Sequence, residues 1–290
     1  MADIACINGS FMDLADAVVP IEDRGYQFAD GVYEVIVAHG GVPFLLDEHL
    51  ARLQRSADGI GLGLDCSTLG LDDLIREGIA RCGYEDVMIY MQITRGIASR
   101  EHAYAADMTP NLVMTFKRKP IIAPALRETG IDLETVADTR WVHCSIKSIA
   151  LLANIMIKNA AKQRGFFDAV ILTADDEVLE TSCANVFIVS GGTLITPPAD
   201  TRILHGITRG HLLDAARSAN IPCEERSISK TELLSADEVF ITSSSIDVLP
   251  ARRVDDQPIG GGKPGPLGKR LLECFPKSAM PANTHGSVTA

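Results

Sequence analysis

Lys147 lies in Cys144-Ser145-Ile146-Lys147-Ser148-Ile149-Ala150-Leu151-Leu152, a single cation in an apolar run where strand-like sequence turns helical. A lysine stripped of water has a lowered pKa and becomes an amine nucleophile, the group Schiff-base chemistry needs. A lysine whose stem lies on apolar surface while its head reaches water leaves the same local pattern. Glu180 closes a strand-like run in Glu177-Val178-Leu179-Glu180-Thr181. A carboxylate there could keep a ring nitrogen protonated, or it could be an exposed edge-strand residue. Leu204-His205-Gly206-Ile207-Thr208-Arg209 leads into a helix, whose first amides and the Thr208 hydroxyl form a ready anion site. Capping alone explains Thr208 equally well. Ser243-Ser244-Ser245 adds hydroxyls at a strand's end. Arg100-Glu101-His102 places two donors at i and i+2 on a loop, able to pinch a carboxylate or simply to carry surface charge.

The elements that must position these groups are mixed α and β. Short β-branched runs predict strands over Val32–Ala38, Val87–Thr94, Leu112–Phe116, Ala169–Thr173, Asn185–Val189 and Glu238–Thr242, with a hairpin Ile171–Asp175/Val178–Glu180. Asp47 can cap a helix with Leu50, Leu53, Ala57 and Ile60 on one face, which leaves Arg52 and Arg55 on the solvated side. Ser148 can cap a helix over Ile149–Arg164 that Gly165 ends, and a third helix starts after Thr208. The stretch Lys119 to Leu126, with two prolines, breaks both periods. It reads as a linker (119–126) between a smaller N-terminal α/β domain (1–118) and a larger C-terminal one (127–275), followed by a frayed tail (276–290).

Composition bounds the function. The chain has 290 residues, 46% hydrophobic and 22% charged, enough apolar material for a core, so disorder and fibrous repeats are excluded. The net charge of -11 would repel phosphate backbones, and the lone basic run Lys117-Arg118-Lys119 reads as a solvated connector, so no nucleic-acid partner is expected. No stretch approaches the ~20 apolar residues of a membrane span, and the N-terminus has no signal-peptide pattern. Seven scattered cysteines without a CxxC pair point to reduced, cytoplasmic thiols and to neither zinc nor a disulfide scaffold. Gly260-Gly261-Gly262-Lys263 is followed by Pro264 where a phosphate loop needs Ser or Thr, and no Gly-x-Ser-x-Gly elbow supports a serine hydrolase.

Taken in order along the chain, the motifs carry more than each alone. Glu22-Asp23-Arg24-Gly25-Tyr26-Gln27-Phe28-Ala29-Asp30-Gly31-Val32-Tyr33-Glu34 resembles the N-terminal signature of the fold-type IV pyridoxal-phosphate aminotransferases. Asp47-Glu48-His49-Leu50-x-Arg52-Leu53, Ile146-Lys147-Ser148, Glu180-x-Ser182-x-x-Asn185-Val186-Phe187 and Gly206-Ile207-Thr208-Arg209 follow in family order. The resemblance covers about Asn8 to Phe275 and is nearest to the D-amino-acid aminotransferases.

It implies a two-domain α/β (α+β type) enzyme binding pyridoxal 5'-phosphate. Lys147 would hold the cofactor and, once released, carry the proton. Glu180 would pair with the ring nitrogen, and Leu204 would lie on the ring face. Arg52, the amides of Ile207 and Thr208, and the Thr208 and Ser244 hydroxyls would bind the phosphate, which places Arg52 toward the cofactor and not in solvent. Tyr33, with Arg100 and His102 from the partner subunit of a homodimer, would trap the substrate α-carboxylate. The implied reaction is transamination between a D-amino acid, such as D-alanine or D-glutamate, and 2-oxoglutarate or pyruvate. A branched-chain L-amino-acid aminotransferase, an (R)-amine transaminase, an aminodeoxychorismate lyase and a non-catalytic vitamer binder are the alternatives. Thr181, Cys183 and Ala184 occupy a segment usually rich in Gly and Ser in the D-enzymes, and Ser244 stands where threonine is frequent.

Overall fold

The computed structural model describes residues 1–275, so the tail expected over 276–290 lies outside the described residues. Strands β1 (Ile4–Ile7), β2 (Ser10–Asp13), β3 (Gly31–His39), β4 (Val42–Pro43), β5 (Val87–Thr94) and β6 (Asn111–Arg118) form one antiparallel sheet, ordered β2-β1-β6-β5-β3-β4. Between them run α1 (Arg24–Phe28), α2 (Leu46–Gly59) and α3 (Leu71–Cys82). Alternation on β3 and β5 sends Val32, Ile36, Ile89 and Met91 into a core shared with Leu53 of α2 and Ile75 of α3. Tyr33 and Val35, at the alternate positions of β3, face a cavity instead.

The second sheet holds β7 (Ile131–Ala137), β8 (Asp168–Leu172), β9 (Val178–Thr181), β10 (Asn185–Ser190), β11 (Thr193–Thr196), β12 (Cys223–Glu225), β13 (Glu238–Ser243), β14 (Asp247–Val254) and β15 (Gln257–Pro258). Its order is β12-β11-β10-β13-β14-β7-β8-β9, with β15 on β14. Because β9 also pairs with β10, through Glu180 opposite Asn185, the strands from β10 round to β9 close into a ring. The accompanying helices are α4 (Pro124–Thr129), α5 (Leu152–Gln163), α6 (Ile207–Ser218), α7 (Lys230–Leu234) and α8 (Pro266–Leu272). Among the described residues no helix is long and apolar enough to cross a membrane.

The structure differs from the sequence expectations in unexpected elements, among them β1, β2, β7, β14 and α3, and at element ends. Helix α2 starts at Leu46, with Leu45 at its N-cap in a left-handed conformation (φ 53°) and no side-chain cap. Asp47 and Glu48 sit in its first turn, where their charges favour the dipole. Ser148 caps nothing: it bridges to Val32 of β3, and α5 begins only at Leu152. The supposed linker contains the start of α4, which Pro124 suits because a first-turn proline loses no helical hydrogen bond. Lys119 is buried against Asp247 at 4.0 Å, so the basic run is not simply a solvated connector.

Candidate active site

Lys147 is fixed from the opposite half of the molecule. Tyr33 N donates to Lys147 O at 3.0 Å, Ile149 N to Gly31 O at 3.0 Å, and Lys147 N to the Ser56 hydroxyl of α2 at 3.1 Å. The chain around the lysine is thereby laid along the edge of β3 and against α2. Its Nζ stands 4.2 Å from the centre of the Tyr33 ring. Burial pushes the amine down to about 8, helped by the Arg52 charge and opposed by Glu34 and Glu180. The Tyr33 phenol is pushed up to about 12 by burial and by Glu34, so it keeps its proton at neutral pH.

Glu180 sits where the ring of strands closes and is buried, not the exposed edge residue that local sequence allowed. Its Oε1 accepts from Arg140 Nη1 at 2.5 Å, and its Oε2 from Asn185 Nδ2 at 3.2 Å and Leu204 N at 3.1 Å. Burial raises its pKa to about 7 against the pull of Arg140 and the Leu204 amide. Arg140 is itself held by Asp138, through Nε and Nη2 at 3.0 Å each.

At the cavity's other end Gly206 is the N-cap of α6 and has no side chain to cap it, leaving the amides of its first turn without a side-chain acceptor. Ile207, Thr208 and Ser244 line the wall there. Arg52, expected on the solvated face, is 4% exposed. A buried guanidinium needs an anion, and Glu34 supplies it from β3: Arg52 Nε and Nη2 donate to its two oxygens at 2.7 and 2.8 Å. Arg52 Nη1 reaches His205 O at 3.0 Å, tying α2 to the loop before α6. Burial pushes Glu34 up, but the Arg52 charge and the bonds from Arg52 and His49 prevail and hold it at about 2.

Eight of the ten site residues expected from sequence, Tyr33, Arg52, Lys147, Glu180, Leu204, Ile207, Thr208 and Ser244, line this one cavity. Arg100 and His102 do not. They are exposed on a separate loop, with Arg100 over the Phe28 ring at 5.0 Å and the His102 ring 5.5 Å from it. Sequence reading gave no role to Glu34, His49, Arg140 or Asn185. Glu34 did leave a signal, because it shares the core-facing side of β3 with Val32 and Ile36, where a charge must be paired. Arg140 left none. Thr181, one of the departures from the usual Gly/Ser segment, closes the turn between β9 and β10: its hydroxyl donates to Ala184 O at 3.1 Å and accepts from Ala184 N at 3.0 Å.

The sequence pattern of the family described as amino-transferase class IV matches residues 31–254. The chain belongs to the class IV aminotransferases. This aminotransferase is 42% identical over 275 residues to a D-alanine aminotransferase of Bacillus licheniformis, covering 94% of this chain and 96% of the relative. A branched-chain aminotransferase of Thermoproteus uzoniensis, solved with norvaline, superposes with a TM-score of 0.83 at 27% identity, over 93% of this chain and 92% of that one. The branched-chain amino acid aminotransferase of Escherichia coli shares the fold with a TM-score of 0.86 at 24% identity, over 94% and 92% of the two chains. Another branched-chain enzyme of this fold, with a TM-score of 0.85 at 23% identity, was solved with pyridoxamine 5'-phosphate.

Class IV aminotransferases work with pyridoxal 5'-phosphate, and the cavity fits that group. It offers a desolvated amine, a carboxylate at one end and uncapped helix amides at the other. A buried hydroxyl on its wall, Thr242 Oγ1, has no partner within the described residues. Buried hydroxyls left unpaired are costly, and a polar occupant of the cavity removes that cost.

Proposed function

We propose that this chain is a pyridoxal-phosphate-dependent transaminase exchanging the amino group of a D-amino acid, such as D-alanine or D-glutamate, with 2-oxoglutarate or pyruvate. The observation that carries the reading is a buried amine near neutrality, Lys147, in one cavity with Glu180 and the uncapped end of α6. The choice of D-amino acids is supported by the D-alanine aminotransferase relative at 42% identity and by the Arg100-x-His102 loop. When bound, the cofactor supplies the electron sink for charge at the substrate Cα.

The protein's own groups do the rest. Lys147 anchors the cofactor and, once freed, takes and returns the proton at the substrate Cα. Glu180, backed by Arg140, would pair with the ring nitrogen. Arg52 and Ser244, with the Thr208 hydroxyl and the amides of Ile207 and Thr208, would hold the phosphate, where the helix end favours an anion. Leu204 would pack on the ring and Tyr33 would donate to the substrate carboxylate.

The chain works as a homodimer in which Arg100 and His102 complete the partner's carboxylate trap. Supporting this, both residues stand outside their own cavity, and exposed apolar side chains lie in or beside the loop in sequence (Ile97, Tyr104) and close to the cavity's wall in sequence (Val142, Leu152). Two domains, 1–118 and 127–275, fit the separate apolar cores, one drawn from residues 4–116 and another from 131–259. A reducing, cytoplasmic setting fits seven unpaired cysteines.

The test is the visible spectrum of the yellow protein mixed with D-alanine or with L-leucine. Bleaching by D-alanine alone is expected. Bleaching by L-leucine alone would keep the cofactor and refute the D-specific trap. For the dimer, Lys147→Ala chains, inactive alone, and Arg100→Ala chains, with a raised KM for D-alanine, should on unfolding and refolding together recover activity with the wild-type KM, because the mixed pair has one complete site. No recovery would refute the shared trap.

A further inference from the structure

Arg24 is one of the most buried charges in the molecule, 3% exposed, yet it touches no part of the cavity just described. Each of its three side-chain nitrogens donates at one place. Nη1 donates to Glu101 O at 2.6 Å, Nη2 to His102 O at 3.1 Å, and Nε to Asp30 Oδ2 at 2.8 Å. Two of the three acceptors are backbone carbonyls of the segment that carries Arg100 and His102. The carboxylate of Asp30 is shared, since Arg95 Nε donates to both its oxygens at 3.1 and 2.9 Å. Arg95 in turn reaches Gly61 O and Ile60 O just beyond α2, at 2.9 and 2.8 Å. The Tyr104 ring closes the loop's other end against both guanidiniums, 3.7 Å from Arg95 and 5.5 Å from Arg24. On the near side the Phe28 ring meets Arg24 at 4.9 Å and Arg100 at 5.0 Å.

The loop therefore hangs from a bracket whose parts come from α1, the end of β5 and the end of α2. We propose that Arg24, joined through Asp30 to Arg95, is a positioning residue for substrate: it fixes the backbone of Glu101 and His102 so that the Arg100 and His102 side chains are presented at one set distance to a substrate carboxylate. The inference rests on the proposed role of those two side chains. The geometry gives it content. A guanidinium fork can hold three acceptors in a plane, and an ammonium on a flexible stem cannot. Asp30, partly buried, is kept ionised because the bonds from Arg95 and Arg24 outweigh the cost of burial.

The experiment compares Arg24→Lys, Asp30→Asn and Arg100→Ala, singly and as the Arg24→Lys/Arg100→Ala pair, in the cofactor-loaded enzyme. Loss of a hydrogen bond to a charged group weakens binding on the order of tenfold to a hundredfold. The expected result for Arg24→Lys is a rise of that order in KM for D-alanine, with kcat at saturation and pyridoxal phosphate affinity within about twofold of the wild type. Hydrogen exchange should quicken across residues 99–105 but not along β5. Asp30→Asn keeps the shape of the side chain, and it covers the case in which Arg24→Lys does not fold. The double variant should fall short of the product of the two single effects, because the Arg100 contact is lost in both. If Arg100→Ala raises KM and Arg24→Lys and Asp30→Asn do not, or if their effects simply multiply, the bracket is refuted while the carboxylate trap stands. If Arg100→Ala leaves KM unchanged, the trap itself fails and this inference with it.

Discussion

Capture of pyridoxal phosphate by protein stripped of it reads the Lys147 environment directly. Only the unprotonated amine attacks an aldehyde. Burial and the Arg52 charge bring Lys147 from 10.5 to about 8. At pH 7 that leaves roughly one amine in ten neutral, against about one in three thousand at the ordinary value, a gain of about 300-fold in the reactive form. The rate of capture, followed by stopped-flow absorbance, should rise about tenfold per pH unit below 7, bend near pH 8 and flatten above 9. A simple alkylamine run in parallel corrects for titrations of the aldehyde itself. Glu180 and Glu34 both favour the ammonium form. Glu180→Gln should therefore move the bend to lower pH. A rate still climbing tenfold per unit between pH 8 and 10 would mean an ordinary lysine, and the desolvation argument would be wrong.

Glu34→Gln leaves the buried Arg52 without its anion and should cost about 3–5 kcal/mol in urea unfolding at pH 7. Because the folded Glu34 lies at about 2, below its ordinary 4.5, its stabilisation is complete above pH 4.5 and lost as pH falls through 2. The gap between wild type and variant should narrow over that window, and a gap that widens refutes the assignment. Gly206→Ala would press a Cβ into Asn185 Oδ1, displacing a donor to Glu180, so weaker cofactor binding by equilibrium titration is expected. Gly78→Ala on α3 would drive a Cβ into the Phe116 ring and should lower stability by about 1–3 kcal/mol without altering cofactor affinity. An unchanged melting temperature would contradict that packing.

The strands that were legible kept alternation and β-branching, as Val87–Thr94, observed with the expected bounds; strands such as β1, β2, β7 and β14 were not expected. Helix starts were not, because each depends on a partner distant in sequence. Ser148 looks like a cap until Val32 is seen to claim its backbone. Arg52 is the sharper case. Periodicity assigns a residue to the solvated face when it falls outside the apolar stripe, yet Arg52 turns inward to an anion on another element. The family motif located it, and spacing alone could not. Arg140, 40 residues before Glu180, has no local pattern at all, since only the pairing of β7 with β8 and of β8 with β9 brings the segment after β7 to the carboxylate.

The two buried glutamates show how neighbours divide the work between identical side chains. Both are desolvated, at 0% and 6% exposure, so burial alone would raise both. Glu34 receives two bonds from Arg52 and one from His49 and is driven to about 2. It is a fixed anion whose effect is to hold Arg52 in place. Glu180 receives one guanidinium bond and two from neutral amides, and that guanidinium is shared with Asp138. It remains short of positive charge, and its value near 7 records the deficit. The unfilled demand faces the cavity, where a protonated ring nitrogen would meet it. Binding such a cation and ionising Glu180 then favour each other, and the carboxylate that the protein leaves incompletely paired is the one the proposed chemistry requires.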